Sequence, residues 1–435
     1  MRLKTWAAIG AALTLPFLQG CGDENAQKGF VRIINATSEY ASLDLYTQAS
    51  DGSDSLVVAG TTSNTASAYT GIDKGSYTFD VKSSTSGGAA IPVTGTITKT
   101  DHFSIVTYLT GSSTKTQFLT DEDTHPASGN AKLRVFNAAT SEAASVDVYL
   151  TKNDCTALAV TDTAFASAVT GLQATYTQVT AAAAGTTWNV CVFGAGDTST
   201  LLLDIAGLTL KDQEIATLIL THTTGGVLLN GAVLDQQGAY TQHANAIARV
   251  RVVADAAGTV PVSVTLGSTS LAATAPSPSV GDYMTVPVGA FSPTITIGAG
   301  TASGFTLPAI VAGNDYTLLV TGTAGVPAAS LITDVNTPST SATNTVRVRV
   351  INGLNGTNGA VSATVDGRSV GTATLGMASG YTNILATSGT ATVHATTTGQ
   401  NPVDLVNQSF SAGNVYTVFV YGDQSAPVLA PVIDR

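Results

Sequence analysis

The chain has 435 residues, nearly three times the usual size of about 150 per domain, so more than one hydrophobic core is needed. Only 11% of residues are charged while 44% are hydrophobic, with 43 Gly and 68 Thr, against an ordinary charged share of about 25%. Thr, Val and Ile at this density favour pleated strands and exclude coiled coils and helical solenoids, and a net charge of −11 without basic clusters excludes a nucleic-acid partner.

At the N-terminus, Arg2 and Lys4 precede an uncharged run from Trp6 to Leu18, a length that suits an export signal and is too short to span a bilayer. The next residues, Leu18-Gln19-Gly20-Cys21, resemble the bacterial lipoprotein box, where a small residue precedes a lipidated Cys that becomes the mature N-terminus. The resemblance implies a signal peptide over 1–20, lipidation of Cys21 and a tether over 21–29. Gly22 in place of an Asp after the Cys implies the outer membrane of a Gram-negative cell, with the chain facing the periplasm or the surface. Acyl chains at about 0.8 kcal/mol per buried methylene make such an anchor stable without a transmembrane helix.

A repeat of about one hundred residues then begins. Val31-Arg32-Ile33-Ile34-Asn35-Ala36, Leu133-Arg134-Val135-Phe136-Asn137-Ala138, Val250-Arg251-Val252-Val253-Ala254-Asp255 and Val348-Arg349-Val350-Ile351-Asn352-Gly353 each place an Arg second in a β run. An alternating run follows each: Leu43-Asp44-Leu45-Tyr46, Val146-Asp147-Val148-Tyr149, Val262 to Thr265, and Val361 to Val365. Each unit ends in a strand leading to an Asp, at Asp121, Asp235, Asp334 and Asp434. With the Gly-punctuated runs between them, about seven short strands per unit fit an immunoglobulin-like sandwich. The expected fold is therefore all-β: four tandem β-sandwiches over 30–125, 126–242, 243–340 and 341–435. Polar linkers are expected at Glu122 to Asn130, Gln236 to Asn245 and Asn336 to Asn344, spacing the units like beads. Tyr316 and Tyr416, at the entrance of the penultimate strand, suit a tyrosine corner or an ordinary core-edge aromatic.

With Cys21 lipidated, Cys155 and Cys191 remain, and in an exported protein they are expected to pair. Chemistry is sparse. Ser112-Ser113-Thr114-Lys115 has a Ser-x-x-Lys spacing but follows a strand and reads as a hairpin turn; Gly298 to Gly304 reads as a turn as well. His102, His125, His222, His243 and His394 form no spaced metal pair, so neither a metal nor a cofactor is expected and no catalytic residue is assigned. Asp121-Glu122-Asp123 and Asp334-Val335-Asn336 supply oxygen ligands for calcium at junctions, although acidic residues also simply keep linkers soluble. Arg32, Arg134, Arg251 and Arg349 should point away from the core, with Asp44 or Asp147 meeting Arg32 or Arg134 across the strands. Tyr46 and Tyr149 share the outward face with those aspartates, as solvent-side packing or a glycan platform, and Trp188 should face the core.

The Val-Arg-Ile-Ile-Asn-Ala opening followed by Leu-Asp-Leu-Tyr resembles the bacterial surface family catalogued as domain of unknown function 4397, most closely in the first two units; the third and fourth keep the Arg and the late Tyr-Thr strand but lack the Asp and Tyr of the second run. That resemblance implies a β-sandwich on the cell envelope, often in tandem, and no activity. The expected function is a non-enzymatic envelope lipoprotein acting as a structural, adhesion or binding module, or alternatively a glycan-binding or enzyme-accessory lipoprotein. Its partners would be the membrane through the lipid and a protein or glycan at the cell surface.

Overall fold

The computed structural model describes residues 27–49, 53–85, 89–110, 113–158, 162–223, 225–236, 238–338, 344–356 and 359–435. The signal segment and Cys21 lie outside the described residues. Among the described residues, apart from a 3-10 turn at Cys155–Ala157, the regular elements are strands, and no described helix is long and apolar enough to cross a membrane.

The first unit shows the plan. Its strands are β1 (Lys28–Asn35), β2 (Ser42–Gln48), β3 (Asp54–Thr62), β4 (Thr65–Ala66), β5 (Thr70–Asp73), β6 (Gly75–Ser83), β7 (Ile91–Ile97), β8 (His102–Thr110) and β9 (Ser113–Thr120). One sheet runs β4-β1-β8-β9, with β5 also on β1, and the other runs β3-β2-β6-β7. Strands β1 and β8 pair in parallel, Arg32 opposite Ser104, while β8 and β9 form an antiparallel hairpin. The same order recurs in the other three units: Asn130–Asn137, Ile247–Ala256 and Thr345–Asn352 each lie parallel to the first strand of the late antiparallel hairpin in their sheet. Each unit is therefore a two-layer sandwich.

Inside the first sandwich Val31, Ile33, Leu43, Leu45, Phe79, Val81, Phe103 and Ile105 form the core, and clusters of the same composition fill the other three. Gly95 permits one close approach, because a Cβ there would lie 2.3 Å from the Phe118 ring. Val311 N–H donates to the Tyr316 hydroxyl at 2.9 Å and Ser411 N–H to Tyr416 at 3.0 Å, the upstream backbone bond of a tyrosine corner. Gly298 lies in the turn between Thr294–Ile297 and Gly300–Ala302. Ser113 to Lys115 lie in β9, and Ser112 is outside the described residues.

The spaced-bead expectation does not hold. Ile34, Val106 and Leu119 of the first unit pack on Phe136, Ile219, Ala232, Leu234 and Tyr240 of the second. Val253, Leu319 and Ile332 of the third pack on Ile351, Phe419 and Tyr421 of the fourth. The opening strands thus have a partner on both faces, which their apolar doublets Ile33-Ile34, Val135-Phe136, Val252-Val253 and Val350-Ile351 require. The segment expected as a second linker contains a strand, Tyr240–His243, that extends the sheet of the second unit. At its end the Asn245 side chain donates to Leu202 O and Leu229 O, both at 2.9 Å. Asn336 is likewise buried, its N–H donating to Gly225 O of the second unit at 3.0 Å.

Candidate functional site

The four recurrent arginines occupy equivalent places, and none is on the surface: Arg32, Arg134, Arg251 and Arg349 are 1%, 4%, 1% and 1% exposed. A buried guanidinium survives only if its donors are satisfied. Part of the satisfaction is local. Each Nε donates to a hydroxyl on the parallel neighbour strand: Ser104 at 2.8 Å, Thr217 at 3.0 Å, Thr317 at 2.9 Å and Thr417 at 2.9 Å. A tyrosine immediately before an edge strand lies over each guanidinium, with Tyr69, Tyr176, Tyr283 and Tyr381 at 4.5, 4.4, 4.6 and 4.7 Å.

Other donors of each guanidinium reach into the adjacent unit, and the exchange is reciprocal. Arg349 of the fourth unit pairs with the closing Asp334 of the third and donates to Thr333 O at 3.1 Å. Arg251 of the third pairs with the closing Asp434 of the fourth at 2.6 Å. In the first half Arg32 donates to Asp235 O at 3.0 Å and Gly238 O at 2.7 Å, and Arg134 donates to Thr120 O at 3.3 Å. The expected partners Asp44 and Asp147 lie in the other sheet of their units and serve it instead. Asp44 accepts from Gly60 N–H and Ser84, and Asp147 from Ala168 N–H and Gly196 N–H. The face judged outward from the sequence is the face that meets the next unit.

Electrostatics separate the two pairs. In the third and fourth units, burial would lower the proton affinity of Arg349, and the facing carboxylates, Asp334 foremost, more than reverse it. Burial raises the Asp434 carboxyl, opposed by Arg251 and Arg349. Asp315 is raised by burial in the same way, opposed by Arg249, which it meets with both oxygens at 2.8 and 2.6 Å. In the first pair the chain turns after Asp235 to form Tyr240–His243, so backbone carbonyls rather than the carboxylate face Arg32. Burial, with Asp235 nearby, pushes the Glu214 carboxyl up to about 7.

Other candidates fall elsewhere. Asp121 accepts from Tyr69 and Ser104, both at 2.7 Å, and Asp334 from Tyr283 at 2.6 Å and Thr317 at 2.7 Å, so both aspartates belong to the clamps and not to solvated linkers. Among the described residues no group of three or more His, Cys, Asp or Glu is placed to hold a metal. Cys155 and Cys191 form a disulfide across 36 residues, beside Tyr149 and Phe193. Tyr149 is buried with its ring edge-on to Phe193, which rules it out as half of a surface platform; the Tyr46 hydroxyl meets Asp44 at 3.4 Å. Trp188 packs at the core edge with Lys152 over its ring at 3.7 Å.

The four clamp tyrosines are not legible in the sequence because they follow their arginines by 37, 42, 32 and 32 residues, with no fixed spacing. The usable signal is an equal number of recurrent arginines and closing aspartates.

No curated protein matches the chain. Solved structures to which it is similar include a candidate cell adhesion protein from Bacteroides uniformis, 12% identical over 48% of this chain and 99% of that one, with a TM-score of 0.20. The TIE protein of Bacillus anthracis is 10% identical over 90% of this chain and 68% of that one, with a TM-score of 0.14. At these TM-scores neither carries an argument about function. The family described as domain of unknown function (DUF4397) matches residues 29–149, so the first sandwich and the opening two strands of the second carry the pattern of that family.

Proposed function

We propose that the chain is a non-enzymatic lipoprotein of the cell envelope, anchored through Cys21, whose four sandwiches serve as a stiff structural, adhesion or binding module. The observation that carries the reading is the reciprocal burial of four arginines across unit boundaries, which spends recurrent charge on holding units together and leaves no freely jointed chain. Stiffness is what a module that presents a surface away from a membrane needs. The export signal and the Leu-Gln-Gly-Cys box support the anchor.

The test is mass analysis of the N-terminal peptide of the chain expressed in a Gram-negative host, together with membrane fractionation. The expected result is a diacylglyceryl-modified Cys21 in the outer-membrane fraction and release of a Cys21→Ala variant. An unmodified Cys21 on a chain that fractionates as freely soluble overturns the reading.

A further inference from the structure

The two halves of the chain repeat one design, and besides the turn after Asp235 they differ around Asp121. In the second half Asp334 uses both oxygens: Oδ2 accepts from Tyr283 and Thr317, and Oδ1 takes Arg349 of the neighbouring unit. The equivalent Asp121 keeps the first half of that arrangement, with Oδ2 accepting from Tyr69 and Ser104. Its Oδ1 has no partner among the described residues, and it forms no ion pair with Arg134, the equivalent of Arg349. Arg134 spends Nε on Thr217 and Nη2 on Thr120 O, and its Nη1 has no hydrogen-bond partner among the described residues.

Both groups line a cavity of about 480 Å³, together with Phe118, Leu172, Gln173 and Tyr176. That size falls in the range of roughly 300–1,000 Å³ that small-molecule sites occupy. Gln173 marks the site further. In the first and fourth units the residue that accepts the backbone N–H following the clamp arginine is a serine, Ser67 at 3.1 Å and Ser379 at 3.0 Å. Here the longer Gln173 does it with Oε1 at 2.7 Å, and its amide nitrogen is left as a second donor at the same cavity. Half-buried Phe118 and Leu172 supply apolar wall.

From this geometry we infer that the cavity between the first two units binds a neutral polyhydroxyl ligand, a sugar residue of a glycan. A hydroxyl accepts from Arg134 and donates to Asp121 through one oxygen, and a neighbouring hydroxyl accepts from Gln173. The apolar C–H groups of a pyranose meet Leu172 and the part of Phe118 that its stacking on Phe79 and Phe103 leaves open to the cavity. An anion is disfavoured because Asp121 and Glu122 face the same space and offset Arg134 and Lys132. The inference rests on the binding-module reading above and names the ligand class of one site within it.

Saturation-transfer NMR on the full chain in a sugar-free detergent, with glucose, galactose, mannose, N-acetylglucosamine and glucuronate as probes, tests it. Transfer to at least one neutral sugar is expected, with Kd at least tenfold weaker in Gln173→Ser and in Arg134→Lys. Gln173→Ser should keep the thermal midpoint of the parent, since serine makes the same backbone bond in the first and fourth units. Transfer to no neutral sugar overturns the inference, as does preference for glucuronate or binding that both variants leave intact. Acylation of Cys21 is scored separately, so the envelope reading can survive that failure.

Discussion

Replacing Arg349 by Met tests the clamp most directly. Arg349 makes three bonds: to Thr417 on its own sheet, and to Thr333 O and Asp334 in the third unit. Methionine fills much of the volume but leaves the fully buried Asp334 with Arg251 Nη2 at 3.8 Å as its remaining cation. Removing one member of a buried ion pair costs about 3–5 kcal/mol, because the survivor stays desolvated. For a pair of units of this size, each kcal/mol lowers the midpoint by about 2–4 °C, so the third and fourth units should melt about 6–20 °C earlier. Differential scanning calorimetry of the full chain reads this. The double variant Arg349→Met, Asp334→Leu should recover part of the loss, since it removes the orphaned charge as well. A loss below about 1 kcal/mol, the size of an exposed ion pair, would refute the claim that the clamp is buried and structural.

Arg134→Met should cost less, about 1–2 kcal/mol, because it breaks a hydroxyl bond and a carbonyl bond and orphans no paired carboxylate; calorimetry of the same chain would show the contrast, and equal losses would contradict it. Asp255 is fully buried where the third unit meets the fourth, accepts from Gly422 N–H at 2.7 Å, and burial pushes its carboxyl up to about 7. A carboxyl raised from its unfolded value near 4 takes up a proton on folding, so its contribution is greatest below about pH 4 and is lost as pH rises to about 7, on the order of 4 kcal/mol. Denaturant midpoints of Asp255→Asn should lack that component of the slope between pH 4 and 7, and an unchanged slope would refute the assignment. Opening the disulfide with Cys155→Ala should destabilise the second unit by about 2–4 kcal/mol, given the 36-residue loop, and urea titration monitored by Trp188 fluorescence would report it.

Much of the fold was legible because it rests on local rules. Alternation in Leu43-Asp44-Leu45-Tyr46, glycines between runs, and four recurrences of one opening set the strands and their number without reference to distant residues. The clamp was half legible. Recurrent Arg and closing Asp are both visible, yet the pattern pairs Arg32 with Asp44, since a strand pattern states which residues share a face and not what that face meets. The doublet Ile33-Ile34 carried the correction, because an apolar residue beside the Arg on the outer face is costly to leave in water.

The amino-acid order alone thus determined the β class and the fourfold repeat, both of which follow from composition and short-range periodicity; the bond between Cys155 and Cys191 is shown by the tertiary structure. Tertiary structure decided where each guanidinium ends: Arg251 on Asp434, Arg349 on Asp334, Arg32 on two carbonyls and Arg134 beside a cavity. These partners are brought together by docking of separately folded sheets, and the free energy of burying a charge depends on three-dimensional surroundings that no run of neighbours along the chain encodes.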